Sequence, residues 1–419
     1  MLDDDSLVER LAAALEADDA IALLRGAIGH ESITGNEANF VGYLDCEMRR
    51  RGFTSIDKKE FLPGRPNLTG EVKGNGGGPR LLFIGHTDTV HVRGWQDHWA
   101  GTERENPFAA PIIDGSVWGR GAGDLKAGIC SAIAAVGLLQ RAGISLSGDV
   151  AFAFVGDEES GEAGTGISAG IKCYVDDIEA GTIARPDFAI YVEPTKLAVL
   201  PAQIGFFITD ITVTGKSAYF GVPELGKDAL KASHTIMSAL WRHSDEITAR
   251  AEHDLVGKGF LLITTLSGGG FIAVPEECRL SLIRKLLPGE SLDHAALEIE
   301  TVVREAVIDP DIRIEITYPA SRDHALGGTA AEIDRNLPEV ALLARSVAGS
   351  MPGRGNIAGA PFWSESPFFV NRLGIPAVYC APGDISNCHT FQEHVELAEY
   401  LSGVVAFATF IARYCGTTD

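Results

Sequence analysis

Short apolar runs alternate with a long helix-like segment in the first half of the chain. The runs at 80–86, 149–155 and 188–193 are bounded by Gly, Pro or charged residues. Uninterrupted runs of this length are typical of strands buried on both faces, as in a parallel sheet. Between the first two runs, the Ala-rich segment 125–142 ends before Gly143, which predicts a packed helix with a glycine cap. This alternation predicts an α/β sheet covered by helices.

The pattern changes after Pro201 to that of a smaller α+β segment. It predicts a strand, a helix, two strands, a helix and a strand, at 206–214, 226–244, 259–266, 276–284, 291–307 and 311–318. This β-α-β-β-α-β order is that of the ferredoxin-like unit. Its length of about 110 residues is sufficient for a domain.

Beyond Pro319 the first pattern returns, with a helix, a strand and a final helix predicted at 331–349, 376–380 and 393–414. The chain therefore predicts a discontinuous α/β domain, 1–204 and 318–419, with a mixed, mostly parallel sheet. An α+β domain of 205–317 is predicted to be inserted into it.

The composition is strongly acidic, with 57 Asp and Glu against 35 Lys and Arg and a formal net charge of −22. Such a surface repels phosphate groups, which argues against nucleic acid and anionic membranes as partners. The seven cysteines form no CxxC pair, as is typical of reduced thiols. The chain opens on acidic residues and has no apolar run of about 18 residues. We therefore expect a cytoplasmic protein.

Acidic and histidine residues follow the predicted strands and enter the predicted helix. They are His86 and Asp88 after the first strand, Asp124 in a Gly-rich loop, Asp157, Glu158 and Glu159 after the second strand, and Glu193 at the end of the third. The carboxyl ends of parallel strands meet at one edge of a sheet, where binding crevices form. We therefore expect one site that contains all of these side chains.

One histidine with several carboxylates is a mixed nitrogen and oxygen donor set that suits Zn, Co or Mn. Several carboxylates in one crevice repel one another unless cations neutralise them, which favours two ions over one. Asp124 is the candidate for a shared, bridging ligand because it stands alone between glycines. A second ion needs a second histidine, and His389 is the best candidate because it lies in a polar loop between a strand and a helix.

Glu158 and Glu159 are neighbours, so their side chains cannot easily face the same ion. One of them is expected to bind an ion while the other meets a water molecule as a general base. Asp88, two residues after His86, is placed to orient that imidazole.

Six motifs in the chain resemble those of the M20 family of two-metal hydrolases. They are GHTDTV (85–90), GRGAGDLKAG (119–128), DEESG (157–161), VEPT (192–195), APGD (381–384) and HTFQEHV (389–395). The family includes acetylornithine deacetylase, succinyl-diaminopimelate desuccinylase, carboxypeptidase G and the aminoacylases. The resemblance implies that the inserted domain serves as a lid and a dimerisation domain.

The resemblance also assigns roles to residues. One ion would be held by His86, Asp124 and Glu193, and the other by Asp124, Glu159 and His389. Glu158 would be the general base, and Asp88 would support His86. The resemblance thus implies two divalent cations, Zn, Mn or Co, as cofactors.

Two positions depart from the family pattern. Tyr219, in GKSAYFG, stands where the family has a histidine that stabilises the oxyanion, and Ile272 or Ala273 stands where the family usually has an asparagine. Arg284, which matches an arginine that binds a substrate carboxylate, is retained. Tyr219 is either a hydrogen-bond donor in the site or a packed interface residue. The lost donors suggest an unusual substrate.

We therefore predict a hydrolase that cleaves a C–N bond in a small carboxylate-bearing molecule, with deacylation of an N-acyl amino acid as the first expectation. An alternative is an aminohydrolase that deaminates a non-peptide, amino acid-like compound, with aromatic compounds as one option. A metal-binding protein without catalysis is a third class.

We expect a homodimer through the inserted domain, or a higher oligomer. His91 and His98 lie in a Trp-rich loop that contains GWQDHW (94–99), and we expect them to be polar loop residues.

Overall fold

The computed structural model describes residues 4–159 and 164–418 and divides the chain into two compact units. Unit 1 comprises Met1–Pro201, Ile333–Ala358 and Phe368–Asp419, and unit 2 comprises Ala202–Glu332 and Gly359–Pro367. Unit 2 is larger than the predicted insert of 205–317. The additional residues join it because Gly327 and Gly328 pair with its first strand and because the Trp363 ring packs against Gly328.

The α-helices of the described residues are, in chain order, α1 (Asp4–Ala14), α2 (Ala17–Gly29), α3 (Ala38–Arg50), α4 (Trp95–His98), α5 (Ala127–Arg141), α6 (Ala169–Glu179), α7 (Ala229–Arg250), α8 (Leu292–Ala306), α9 (Pro338–Ser350) and α10 (Leu397–Tyr414). The strands of three or more residues are β1 (Thr54–Leu62), β2 (Arg65–Val72), β3 (Leu81–His86), β4 (Ser116–Trp118), β5 (Val150–Val155), β6 (Phe188–Tyr191), β7 (Val199–Gln203), β8 (Gly205–Thr214), β9 (Phe260–Gly268), β10 (Glu277–Leu286), β11 (Arg313–Thr317), β12 (Ile357–Ala360), β13 (Ala377–Tyr379) and β14 (His394–Glu396).

Unit 1 is built on a mixed sheet with the strand order β1-β2-β5-β3-β6-β13-β7. The four central strands run parallel, and β1, β2 and β7 pair antiparallel with their neighbours. Every residue of β3, β5 and β6 is buried. The predicted parallel sheet with both faces covered is therefore confirmed.

Helix α5 is the central helix of unit 1 and is buried from Ala127 to Leu139. The segment Ala122–Arg141 is apolar and long enough to cross a membrane, but its most apolar window of 18 residues is entirely buried inside the protein, as in the core helix of a globular domain. It ends as predicted, with Gly143 at a φ of +65°. Helix α10 packs against α5. It begins at Leu397 rather than at the predicted residue 393, because His394–Glu396 pairs with β4.

Unit 2 has the predicted β-α-β-β-α-β order, with an added short hairpin between α7 and β9 in which Glu252–His253 pairs with Gly257–Lys258. Its antiparallel sheet has the order β9-β10-β8-β11, and α7 and α8 pack on it around a core that includes Ile211, Leu240 and Leu282. The edge strand β9 leaves Leu262 and Leu266 exposed. Dimerisation through this unit stays a prediction.

The close approach of α5 to the end of β6 requires a glycine at position 128. A methyl group there would overlap the carbonyl oxygen of Val192 and lie 2.8 Å from its Cβ. We expect Gly128→Ala to lower the free energy of unfolding by about 1–3 kcal/mol. Gly137→Ala is the matched control on the same helix, because the nearest atom to its new methyl group would be 3.5 Å away. That control should be neutral or stabilising by up to about 1 kcal/mol. Urea unfolding of both variants measures the difference, and equal midpoints would contradict it.

Candidate metal centre

Three neighbouring parallel strands place acidic and imidazole side chains at one edge of the unit 1 sheet. His86 is the last residue of β3, Glu159 follows β5, and Glu193 follows β6. Asp124 enters the same crevice from the segment Ala122–Lys126, which leads into α5 and in which Asp124 itself has a non-helical backbone. All four side chains are buried. The structure thus brings together the strand-end residues that the sequence indicated.

Asp124 lies between two imidazoles, with one carboxylate oxygen directed at each. Its Oδ1 is 3.1 Å from His86 Nε2, and its Oδ2 is 3.0 Å from His389 Nε2. Glu193 Oε1 is 3.7 Å from His86 Nε2, and Glu159 Oε1 is 2.9 Å from His389 Nε2. The centre therefore has two halves, each with one imidazole and one glutamate, and Asp124 belongs to both.

The charges of this cluster determine the protonation of its members. Burial alone would lower the pKa of His86, but the hydrogen bond to Asp124 and the charge of Glu193 raise that pKa well above its usual value. Burial also acts to lower the pKa of His389, and the hydrogen bonds to Asp124 and Glu159 raise it to about 11. Burial acts to raise the pKa of Asp124, yet the two imidazoles hold it below its usual range. The carboxylates thus stabilise positive charge at His86 and at His389, on the two sides of Asp124.

The donor atoms fit divalent cations. The ligand atoms of His86, Asp124 and Glu159 lie within 4.8 Å of one another. Imidazole nitrogen with carboxylate oxygen suits Zn, Mn or Co. Burial and nearby carboxylates, that of Asp124 first among them, raise the pKa of the neighbouring Cys388 thiol.

Asp88 is buried and holds the main chain of the next loop. Its carboxylate accepts hydrogen bonds from the backbone N–H groups of Glu158, at 3.3 Å, and Glu159, at 2.9 Å, and from the Thr34 hydroxyl, at 3.1 Å. Burial raises its pKa to about 7. The contact with His86 differs from the predicted one, since His86 Nδ1 lies 3.0 Å from the main-chain oxygen of Asp88 and 3.8 Å from its carboxylate. The carboxylate therefore positions the two glutamates.

The loop that carries Glu158 is also anchored from its other side. Asp157 adopts a φ of +74°. Its carboxylate accepts hydrogen bonds from three backbone N–H groups, those of Gly166, Ile167 and Ala169, which lie just before or at the start of α6. Arg65 forms ion pairs with both Asp157 and the buried Glu37. Glu158 itself is half-buried beside Glu159. Its backbone is thus held in place while its side chain remains partly accessible.

Sequence reasoning missed the pair Glu393 and Arg120. Glu393 is fully buried and forms an ion pair with Arg120. Its carboxylate also accepts hydrogen bonds from the backbone N–H groups of Gly123, at 3.3 Å, and Asp124, at 3.2 Å. This pair fixes the loop that presents Asp124. The available signal was the presence of opposite charges within two motifs, GRGAGDLKAG and HTFQEHV, that have to meet at one site.

The two predicted substrate-binding residues lie in unit 2. Tyr219 is 61% exposed, with its ring 4.5 Å from that of Phe220. Arg284 points into the core, is fully buried and pairs with Glu290 at 2.6 Å. A guanidinium that is already neutralised by a carboxylate is poorly suited to bind a second one. The structure therefore gives Arg284 a structural partner, and substrate binding by either residue stays a prediction.

Protein stripped of metal by a chelator should release protons when Zn²⁺ is titrated in at about pH 7.5. The raised pKa values of His86 and His389 mean that both imidazoles are protonated there, and each must lose a proton to bind a cation. The apparent affinity should therefore fall as the pH falls, by up to about tenfold per pH unit for each proton. Calorimetry in two buffers of different ionisation enthalpy counts the protons. Release of none would contradict the protonation described here.

The sequence of residues 82–413 matches the model of peptidase family M20/M25/M40. N-formyl-4-amino-5-aminomethyl-2-methylpyrimidine deformylase of Bacillus subtilis (strain 168) is 27% identical, over 91% of this chain and 89% of its own length. Acetylornithine deacetylase of Myxococcus xanthus is 26% identical, over 90% of this chain and 92% of its own length.

Solved structures share the fold. An M20 family metallo-carboxypeptidase of Sulfolobus solfataricus superimposes with a TM-score of 0.74 and 16% identity, over 94% of this chain and 99% of its own. A dinuclear metal binding peptidase from the M20 family of Bacillus subtilis does so with a TM-score of 0.64 and 16% identity, over 96% and 99%. These matches confirm the family that the six motifs indicated. The chain belongs to peptidase family M20/M25/M40, whose members are metal-dependent hydrolases of amide C–N bonds.

Proposed function

We propose that the protein is a two-metal hydrolase that removes an acyl group from the nitrogen of a small carboxylate-bearing molecule, with an N-acyl amino acid as the first candidate. The observation that carries this proposal is the position of Asp124, whose two oxygens each face a different imidazole. Two relatives with matching lengths are named as a deformylase and a deacetylase, which supports acyl removal as the reaction.

In this proposal His86, Asp124 and Glu193 hold one ion, and Asp124, Glu159 and His389 hold the other. The pairing follows the two halves of the centre, since each glutamate lies nearest the imidazole of its own half. The dinuclear metal binding of the Bacillus subtilis peptidase supports two ions rather than one. Such ions, when bound, polarise the scissile carbonyl and lower the pKa of a water molecule.

Glu158 is the proposed general base. It takes a proton from the attacking water, whose oxygen bonds to the acyl carbon, and it returns that proton to the amine nitrogen as the C–N bond breaks. The products are a carboxylic acid and a free amine. Asp88 supports this role by holding the backbone N–H groups of Glu158 and Glu159, which fixes where both side chains start.

Replacement of the two adjacent glutamates should separate catalysis from metal binding. Glu158→Ala should keep two equivalents of metal and lose turnover by roughly 10²–10⁴-fold, because only the proton acceptor is removed. Glu159→Ala should lose metal, because its carboxylate is the partner of His389. Metal analysis by mass spectrometry and steady-state kinetics test the pair. Full activity in Glu158→Ala would remove the general-base assignment, and loss of metal there would make Glu158 a ligand instead.

The aminohydrolase remains the second candidate because of the residues in the place of the family's oxyanion donors. Tyr219 carries a neutral hydroxyl, and neither Ile272 nor Ala273 has a side-chain donor. An oxyanion donor contributes roughly 3–4 kcal/mol to lowering a barrier. Attack on an activated ring or imine carbon depends less on such donors than attack on an amide does. The complete set of ligands and base speaks against the third class, a non-catalytic metal-binding protein.

A mixed substrate panel separates the two candidates by their products. We expect the Zn-, Mn- or Co-loaded enzyme to release a carboxylic acid from N-acetyl, N-formyl or N-succinyl amino acids. Release of ammonia from amino-substituted aromatic acids, with all acyl compounds inert, would overturn deacylation and establish the aminohydrolase. Tyr219→Phe adds a second arm: unchanged turnover of the preferred substrate would show that the hydroxyl plays no part.

A further inference from the structure

We propose that the aromatic segment Trp95–Trp99 is a clamp that positions His389. Within the clamp, the hydrogen bond from Trp99 to the His389 loop makes the largest contribution to that positioning. The inference rests on the proposed function, in which His389 completes one of two metal half-sites. It assigns a role to a Trp-rich segment that the sequence marked only as a loop with polar histidines. Trp99 bonds to the main chain of the His389 loop, so it acts as a positioning residue.

His389 needs external support more than the other proposed ligands do. Its side chain is 53% exposed, whereas those of His86, Asp124, Glu159 and Glu193 are between 1 and 7% exposed. Its φ of +61° is a left-handed conformation that costs a non-glycine residue free energy of order 1–3 kcal/mol. The other imidazole, by contrast, belongs to a buried strand. The position of His389 therefore depends on contacts made by its loop.

Trp99 makes a directed contact of this kind. Its indole Nε1–H donates a hydrogen bond of 2.8 Å to the main-chain oxygen of Phe391, two residues after His389. The Phe391 ring stacks on His98 at a centroid distance of 4.6 Å, and the edge-to-face contact with Trp95 is 6.2 Å. Three residues of the clamp thus hold one residue of the loop, by one hydrogen bond, one stacked ring contact and one edge-to-face ring contact.

The clamp is itself fixed to the interior of unit 1. Trp95 is fully buried, and its Nε1–H donates to the main-chain oxygen of Arg104 at 2.8 Å. The guanidinium of Arg120 lies over the Trp95 ring at 5.3 Å, and Arg120 also pairs with Glu393, which holds the Asp124 loop. Trp95 therefore links the supports of His389 and Asp124, the two groups that have to share an ion.

The direct test is metal binding by Trp99→Phe, which keeps a six-membered aromatic ring and removes the N–H donor together with the fused five-membered ring. Chelator-treated wild-type and variant protein are titrated with Zn²⁺ in a calorimeter. We expect one of the two equivalents to bind roughly 10–100-fold more weakly in the variant, as is usual when the support of a ligand is lost. The other equivalent, held by His86 and Glu193, should be unchanged within about threefold. A loss of general stability would weaken both equivalents alike, so the difference between them reports positioning.

Trp363→Phe is the matched control. Trp363 belongs to unit 2, and its indole N–H also donates to a main-chain oxygen, that of Thr329, at 3.0 Å. The same substitution there removes a bond of the same kind and should leave both equivalents unchanged. Equal affinities in Trp99→Phe and wild type, or equal weakening of both equivalents, would overturn the proposal. A wild-type protein that binds fewer than two equivalents would instead contradict the proposed two-metal function.

A second measurement uses the wild-type chain alone and serves if Trp99→Phe does not fold. In ¹⁵N-tryptophan-labelled protein, the indole N–H resonance of Trp99 should shift on the addition of the Zn²⁺ equivalent that engages His389. The resonance of Trp363 should stay in place. An unmoved Trp99 resonance after both equivalents have bound would overturn the coupling between the clamp and His389.

Discussion

The buried carboxylates at the edge of the unit 1 sheet require positive charge, and the rest of the centre is arranged around that requirement. Asp124, Glu159 and Glu193 are buried together, and burial penalises ionised carboxylates unless they are paired. His86 and His389 approach Asp124 from two directions. The negative charge of the carboxylates raises the pKa of both imidazoles. An arrangement that holds two positive charges on either side of one carboxylate is suited to hold two divalent cations there.

The fold places these groups by simple means. Parallel strands bring His86, Glu159 and Glu193 to one edge, because neighbouring strands of such a sheet end together. Helix α5 reaches that edge because Gly128 lets its first turn lie against Val192. Rigid elements thus supply one half of the centre. The half that contains His389 depends on a loop. Phe391, two residues further along that loop, receives a hydrogen bond from Trp99 and ring contacts from Trp95 and His98.

Much of the fold and of the centre could be predicted from the sequence because the signals were local. Apolar runs predicted β3, β5 and β6, and the residues that end them are the ones that the structure brings together. What could not be predicted depends on long-range pairing. The bond from Trp99 to Phe391 joins residues 292 positions apart, and the pair Arg120 and Glu393 joins residues 273 apart. The pair Arg284 and Glu290 is a different case, because its members are only six positions apart. Nothing in the sequence indicated that the Arg284 side chain would be buried in unit 2.

The measurement that tests the central claim most directly is anomalous X-ray scattering from crystals grown with Zn²⁺ or Mn²⁺. The account predicts two peaks, one on each side of the Asp124 carboxylate and each about 2.0–2.2 Å from a different oxygen of it. One peak should also contact His86 and Glu193, and the other His389 and Glu159. A single peak, or a pair of peaks of which neither contacts His389, would contradict the account.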